Sequence, residues 1–470
     1  MQQHVDTGAA VHLERVTAGD LEQAFDKAQR SLSLEQGPLC RALLANAPDG
    51  SQRLLLVIHH LVVDGVSWRI LLEDLQAAYR QRQAAHALRR PAKTCAFKAW
   101  GERLVAHAQS EAMGAELGYW QALLANGGEG IVADHHDGSQ AKRHAHTLTS
   151  RFDTVLTRAL LQEAPAAYRT QVNDLLLTAL AQALCAWSGE ASALVQLEGH
   201  GREALFEDID LSRTVGWFTS LYPVRLEPAA DIGASIKRIK EQLRAVPNKG
   251  LGYGLLRHLG PQAARDALSA LPQPRITFNY LGQFDAGASA DALWTLAEEA
   301  SGSGMDEGAP LGNWLSLDGQ VHEGALSLNW TFSDCVFEPA RVQALATAFE
   351  NALQALVEHC RQPVHRGVTP SDFPLSGLDQ AQLDALPVAL EDIEDLYALS
   401  PMQEGMLFHT LSDGGSALYV NQVCLPVDGL DPDRFEAAWQ RVMARHDILR
   451  TSFHWQGLPR PVQVCLLYTS

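Results

Sequence analysis

The sequence predicts an α/β protein, on three observations. Strand-like and helix-like apolar patterns alternate through its first 360 residues, one strand candidate is a continuous apolar run, and the helix candidates carry apolar stripes. In chain order, residues 54–58 (LLLVI) form that run and end in a polar motif, the pattern of a buried strand. Residues 67–80 follow as a helix with Ile70, Leu71, Leu75 and Ala78 on its inner side. Residues 172–187 (VNDLLLTALAQALCAW) are apolar nearly all round, which predicts a helix buried on most sides. Residues 325–332 alternate, placing Leu326, Leu328, Trp330 and Phe332 on one face of a strand. Pro339 opens a long helix, where its missing N–H costs nothing. Val342, Leu345, Ala346, Phe349, Leu353, Leu356 and Val357 give that helix one stripe.

The character changes between about 361 and 390. RQPVHRGVTPSDFPLSGL carries three prolines and no sustained periodicity, and residues 363–390 read as an interdomain linker. An acidic segment, 391–395, leads into a final unit. There Asp431 can cap a helix opened by Pro432, with Phe435, Ala438, Trp439, Val442 and Met443 on its inner face.

Length and composition narrow the function. At 470 residues the chain suggests two to four folding units, and 46% hydrophobic against 20% charged residues is a globular balance. The 37 basic residues face 55 acidic ones, a net charge of −18. That excess argues against a nucleic-acid partner, which needs a basic footprint, and against docking on an anionic membrane. No apolar run reaches the roughly 18 residues of a membrane-spanning helix, and the first residues lack a secretory pattern. The seven cysteines are scattered and never paired as CxxC, which points to reduced thiols in the cytoplasm, with no disulfide framework and no zinc site.

The sharpest motif is HHxxxDG at 59–65, placed at a strand-to-helix junction. Side chains alternate along a strand, so of His59 and His60 one should enter a pocket and the other be held in the packing. Asp64 and Gly65 turn the chain into the helix. The spacing lacks the i, i+4 histidines of a helical metal site, and a zinc reading is set aside.

HHxxxDG is similar to the signature of chloramphenicol-acetyltransferase-like folds, which include the condensation and epimerization domains of nonribosomal peptide synthetases. The longer string HHLVVDGVSWRILLEDL resembles the epimerization branch. So do PAKTCAFKAWGERL (91–104), YRTQVNDLLLTAL (168–180), EGHGRE (198–203), TVGWFTSLYPV (214–224), PNKGLGYGLLRHL (247–259) and FNYLGQFD (278–285), in that order. The resemblance implies two lobes in a V with a tunnel between them. It places an epimerization domain at 1–362, with a first lobe at about 1–140 that is truncated at its start and a second lobe at about 141–362. The linker 363–390 and an N-terminal fragment of a condensation domain at 391–470 follow, the latter on LYALSPMQEGMLFH and RHDILRTSF. Residues 465–470 do not resemble the family's continuation and read as a non-native tail.

Inverting an α-carbon requires proton carriers on two faces and donors for the oxyanion that develops. The resemblance assigns the two sides to His60 and Glu198, and the choice of base between them stays open. It implies structural roles for His59, Asp64, Gly65 and Arg202, with Asp64 and Arg202 as a buried ion pair. Asn279 is a candidate donor to the thioester or peptide; Tyr280 on the opposite strand face is either a substrate contact or core. Glu203, by contrast, carries the ordinary expectation of a solvated or paired surface residue. The implied reaction is epimerization of an L-aminoacyl or L-peptidyl residue on the 4'-phosphopantetheine thioester of a carrier domain, with no cofactor bound by the domain itself. The implied partners are an upstream peptidyl carrier domain and a downstream condensation domain. The rival readings are an amide-forming condensation domain and a non-catalytic carrier-binding fragment.

Overall fold

The structure is a computed structural model that describes residues 12–17, 21–47, 50–89, 91–125, 131–283, 293–295, 297, 301–412 and 419–467. Its contacts divide the chain into two compact units, 1–157 with 181–226 and 246–350, and 158–180 with 227–245 and 351–470.

The first unit holds two sheets. In the smaller, β1 (Leu13–Thr17) runs parallel to β2 (Cys40–Asn46), which pairs antiparallel with β3 (Gln52–Ile58). β3 contains the LLLVI run, yet Leu54 is 44% exposed and the rest of the run is half-buried. The buried-strand expectation fails because β3 has a hydrogen-bonded neighbour on one side only among the described residues. The helix after it spans Gly65–Gln83 and buries Ile70, while Leu71 and Ala78 are half-buried and Leu75 is exposed.

The larger sheet contains β4 (Ala145–Arg151), β5 (Ala193–Gly199), β6 (Ser220–Leu226), β7 (Ile276–Gln283), β8 (Leu315–His322) and β9 (Ala325–Ser333), in the order β4-β9-β8-β7-β5-β6. β7 runs parallel to both β5 and β8, and the other pairs are antiparallel. Strand alternation gives this sheet two unlike faces. Leu326, Leu328, Trp330 and Phe332 are buried on one, as their spacing predicts, with Ile276, Phe278, Leu315, Leu317 and Val321. Each such side chain contributes about 1.5–3 kcal/mol by leaving water. The opposite face is polar, cross-linked by Thr149–Asn329 (2.8 Å) and Gln196–Thr277 (3.3 Å). The expected helices appear at Val172–Ser188, with 174–181 buried without a break, and at Pro339–Arg361, whose seven stripe residues are all buried.

In the second unit, β10 (Ile393–Ala398), β11 (Thr451–His454) and β12 (Val462–Leu466) form a sheet of order β10-β12-β11. Val368, Phe373, Leu378, Leu383 and Leu386, from the stretch read as linker, share a core with Ile393, Leu396, Val462 and Val464. Composition hides this core because its apolar residues follow neither a helical nor a strand period. The same stretch is tied to the helix Ile232–Arg244. Lys240, only 1% exposed, donates to both carboxylate oxygens of Asp372 at 2.7 Å and to the Tyr168 carbonyl at 3.0 Å. Lys237 pairs with Asp384 at 2.9 Å. Asp431 caps the helix Pro432–Arg445, accepting from the Asp433 and Arg434 amides. Phe435 (53%), Trp439 (51%) and Val442 (40%) on its expected inner face are exposed instead, because no described element covers that stripe. Cys465 is buried in β12, and the tail's last three residues lie outside the described ones. Among the described residues no helix is long and apolar enough to cross a membrane.

Candidate active site

The histidine motif lies just past the end of β3. His59 takes an extended backbone conformation and caps a short 3₁₀ turn, His60–Val62, its Nδ1 accepting from the Leu61 amide at 3.2 Å. Strand alternation therefore does not separate the two histidines, since neither belongs to the strand. The turn does: His59 is half-buried by its cap, and His60 is exposed beside the Trp217 ring, 5.1 Å between centroids.

Asp64 is the N-cap of the following helix, where orphan amides favour a carboxylate. It accepts from the Ser67 amide at 2.7 Å and from the Phe218 amide at 3.1 Å. Arg202 reaches it at 3.1 and 3.2 Å, with side chains only 8% and 5% exposed. Arg202 also donates to the carbonyls of Leu211 and Thr214 and to the Ser67 hydroxyl, and its guanidinium lies 3.9 Å from the centre of the Phe218 ring. Burial pushes the Asp64 carboxyl up, but the Ser67 and Phe218 bonds and the Arg202 charge outweigh it, and its pKa falls below the usual value. Gly65 opens the helix with open space around it.

Glu198 sits near the end of β5, on the polar face. Register carries that face across the sheet: β5 pairs Gln196 with Thr277, and β7 pairs Asn279 with Asp318 of β8. The Asn279 amide, beside Asp318 in register, favours the ionised form of that acid. Glu198 is reachable by solvent yet recessed, and desolvation, with the charge of Asp318 behind it, holds its pKa above the usual carboxylate range, while His60 pulls it partly back. Asp318 is raised too, by burial, against the pull of Asn279. Tyr280 lies on the other face, its ring against Gly319, so it does not join Glu198 and Asn279.

The glycines of EGHGRE serve the chain's own backbone. A Cβ on Gly201, whose φ is +65°, would fall 1.6 Å from the Phe218 carbonyl oxygen, and one on Gly199 would meet the Ser220 hydroxyl at 2.8 Å. They let 214–220 close over Arg202. Glu203 pairs with Lys249 (3.2 Å) and His200 (3.3 Å), and its side chain is 16% exposed, less open than a surface residue.

Sequence reasoning missed Asp318 and Trp217. The signal for Asp318 was the alternation of LSLDGQV, which puts Ser316, Asp318 and Gln320 on one face; only the β7–β8 register shows that this is the face of Asn279. Among the described residues two groups bring three possible metal-ligand atoms within 4.8 Å of one another, His144–Asp334–Cys335 and Glu394–Asp447–Cys465, and neither includes a residue of this site.

A family model described as "Condensation domain" matches residues 2–376 and 393–470. A linear gramicidin synthase polypeptide of Brevibacillus parabrevis is 45% identical over 443 residues, 93% of this chain and 8% of its own length. A mycosubtilin synthase polypeptide of Bacillus subtilis is 36% identical over 459 residues, 96% of this chain and 17% of its own. The chain therefore spans under a fifth of either relative. Among solved structures, the epimerization domain from the third module of a tyrocidine synthetase superposes with a TM-score of 0.70 at 34% identity, over 76% of this chain and 81% of that one. The condensation domain of a Monacolin K polyketide synthase, at 18% identity, covers 75% of this chain and 80% of its own with a TM-score of 0.55, and shares the fold. That fold is α/β and chloramphenicol-acetyltransferase-like, with mixed sheets.

Proposed function

Because the chain belongs to the condensation-domain family of nonribosomal peptide synthetases, we propose that it epimerizes an L-aminoacyl or L-peptidyl residue held as a phosphopantetheine thioester on a carrier domain. The observation that carries the reading is the raised carboxyl of Glu198, acted on by His60 from a separate element. A residue that must lose a proton on one face and regain one on the other needs two such carriers. The Cα–H bond breaks, its proton passes to one carrier, and the electron pair delocalises onto the thioester oxygen. A proton from the other carrier then re-forms the bond on the opposite face. The likeness to a solved epimerization domain at 34% identity supports the same reading.

The domain itself binds no cofactor in this reading, since the phosphopantetheine belongs to the carrier. The carrier lies upstream in the synthetase and a condensation domain downstream, with residues 391–470 as its beginning. The setting is the cytoplasm, in keeping with seven free cysteines. The family match favours one other reading, amide formation by a condensation domain.

Solvent isotope exchange separates the two. An epimerase washes deuterium from D₂O into the α-position of a carrier-bound L-residue, and His60→Ala should lower that exchange by about 10²–10⁴-fold in a folded protein. Amide formation with no α-exchange would refute the epimerase reading.

A further inference from the structure

We infer that Asp318 is a positioning residue for Glu198, acting by charge across the sheet to favour the protonated form that returns a proton to the α-carbon. This deepens the epimerase reading and rests on it. Three observations carry it. β5, β7 and β8 are adjacent, and their registers set Gln196 beside Thr277 and Asn279 beside Asp318 on the same polar face as Glu198. Asn279 stands directly beside Asp318 in the β7–β8 register, where its amide favours the ionised form of that acid. Asp318 and His60 are the titratable groups that act on Glu198 among the described residues, and they pull in opposite senses.

Two neighbouring carboxyls resist ionising together, as like charges sharing one site do. Asn279 beside Asp318 favours the charge there, and repulsion from that charge favours the proton on Glu198. A protonated Glu198 is an acid, so His60, exposed beside Trp217, is left as the base that takes the α-proton from the L-residue. The carbanion collapses onto the Glu198 proton, which leaves a carboxylate on Glu198 and a protonated imidazole on His60. Exchange with solvent restores both.

Asp318→Asn tests this, since it removes the charge with little change of shape. One arm follows the Glu198 carboxyl by carbon NMR in the full chain, its signal identified by its loss in Glu198→Gln. The midpoint should move to lower pH in Asp318→Asn. The other arm presents a set of L-aminoacyl thioesters on a holo-carrier domain in D₂O and compares α-exchange with inversion. With Glu198 ionised more of the time, His60 should return the proton to the face it came from more often, so exchange without inversion should rise relative to inversion. The overall loss of inversion should be smaller than the roughly 10²–10⁴-fold of a direct acid–base group. An unmoved midpoint, or an unchanged ratio of exchange to inversion, would overturn the inference. If the parent protein exchanges nothing, the epimerase reading falls, while the NMR arm still decides whether Asp318 sets the protonation of Glu198.

Discussion

Two acidic centres in the first unit are built on opposite plans. Asp64 is fully buried, yet two backbone amides and the Arg202 guanidinium surround it, and its carboxyl is held ionised. Glu198 can be reached by solvent, yet desolvation, with a second acid across the sheet, holds its carboxyl toward the neutral form. Desolvation pushes both carboxyls up, and only at Asp64 do surrounding donors outweigh it. A carboxylate locked in one ionic form can organise a fold. Proton transfer needs one whose two forms lie close in energy.

The largest effects should split along that line. Asp64→Ala leaves Arg202 buried without its counter-charge, which costs about 3–5 kcal/mol. Thermal unfolding should show a large drop in Tm, with α-exchange per folded molecule reduced much less. Glu198→Gln should do the reverse, losing about 10²–10⁴-fold in inversion with Tm nearly unchanged. Equal effects on both readouts in both variants would erase the distinction.

A smaller effect concerns pH. Asp64 has a folded pKa below that of the unfolded chain, near 3.9, so its stabilisation is present above that value and is lost as pH falls through the folded pKa. Glu198 and Asp318 are raised, so the folded state keeps their protons longer than the unfolded chain does. Their contribution is full at low pH and is lost as pH rises through the folded values. Asp318→Asn should therefore melt above the parent at neutral pH, and the gain should shrink toward about pH 4. A gain that does not vary with pH would mean that burial does not raise the Asp318 carboxyl.

The smallest effect belongs to Glu203. Glu203→Gln keeps the shape of a group paired with Lys249 and His200 and should stay within a few-fold of parent inversion. Severe loss there would move the acid–base role to the wrong end of EGHGRE.

Patterns that repeat within one element were readable from the sequence. The all-round apolar character of 172–187, the stripe of 339–361 and the alternation of 325–332 each belong to a single helix or strand. Features set by neighbours were not. The LLLVI run says nothing of which side of β3 carries a partner, and the Phe435–Trp439 stripe does not reveal that it is uncovered. Strand geometry would separate His59 from His60 only if the strand ran through them, and it stops one residue earlier. Asp318 becomes visible only when two parallel strands, distant in sequence, are laid in register.

The buried Lys240 has a consequence for joining modules. Burial pulls its ammonium pKa down, and the Asp372 carboxylate opposes that pull. Both partners of this contact are fixed by backbone on either side of it, and the apolar core of 363–390 is closed by β10 and β12. A chimera spliced between Arg361 and Asp372 would leave an ammonium inside protein with no counter-ion. One spliced at 390 would strip β10 and β12 from Phe373 and Leu383. The proline-rich stretch that looks like the natural place to cut is therefore part of a packed core that a fusion should keep whole, from Val368 through β12.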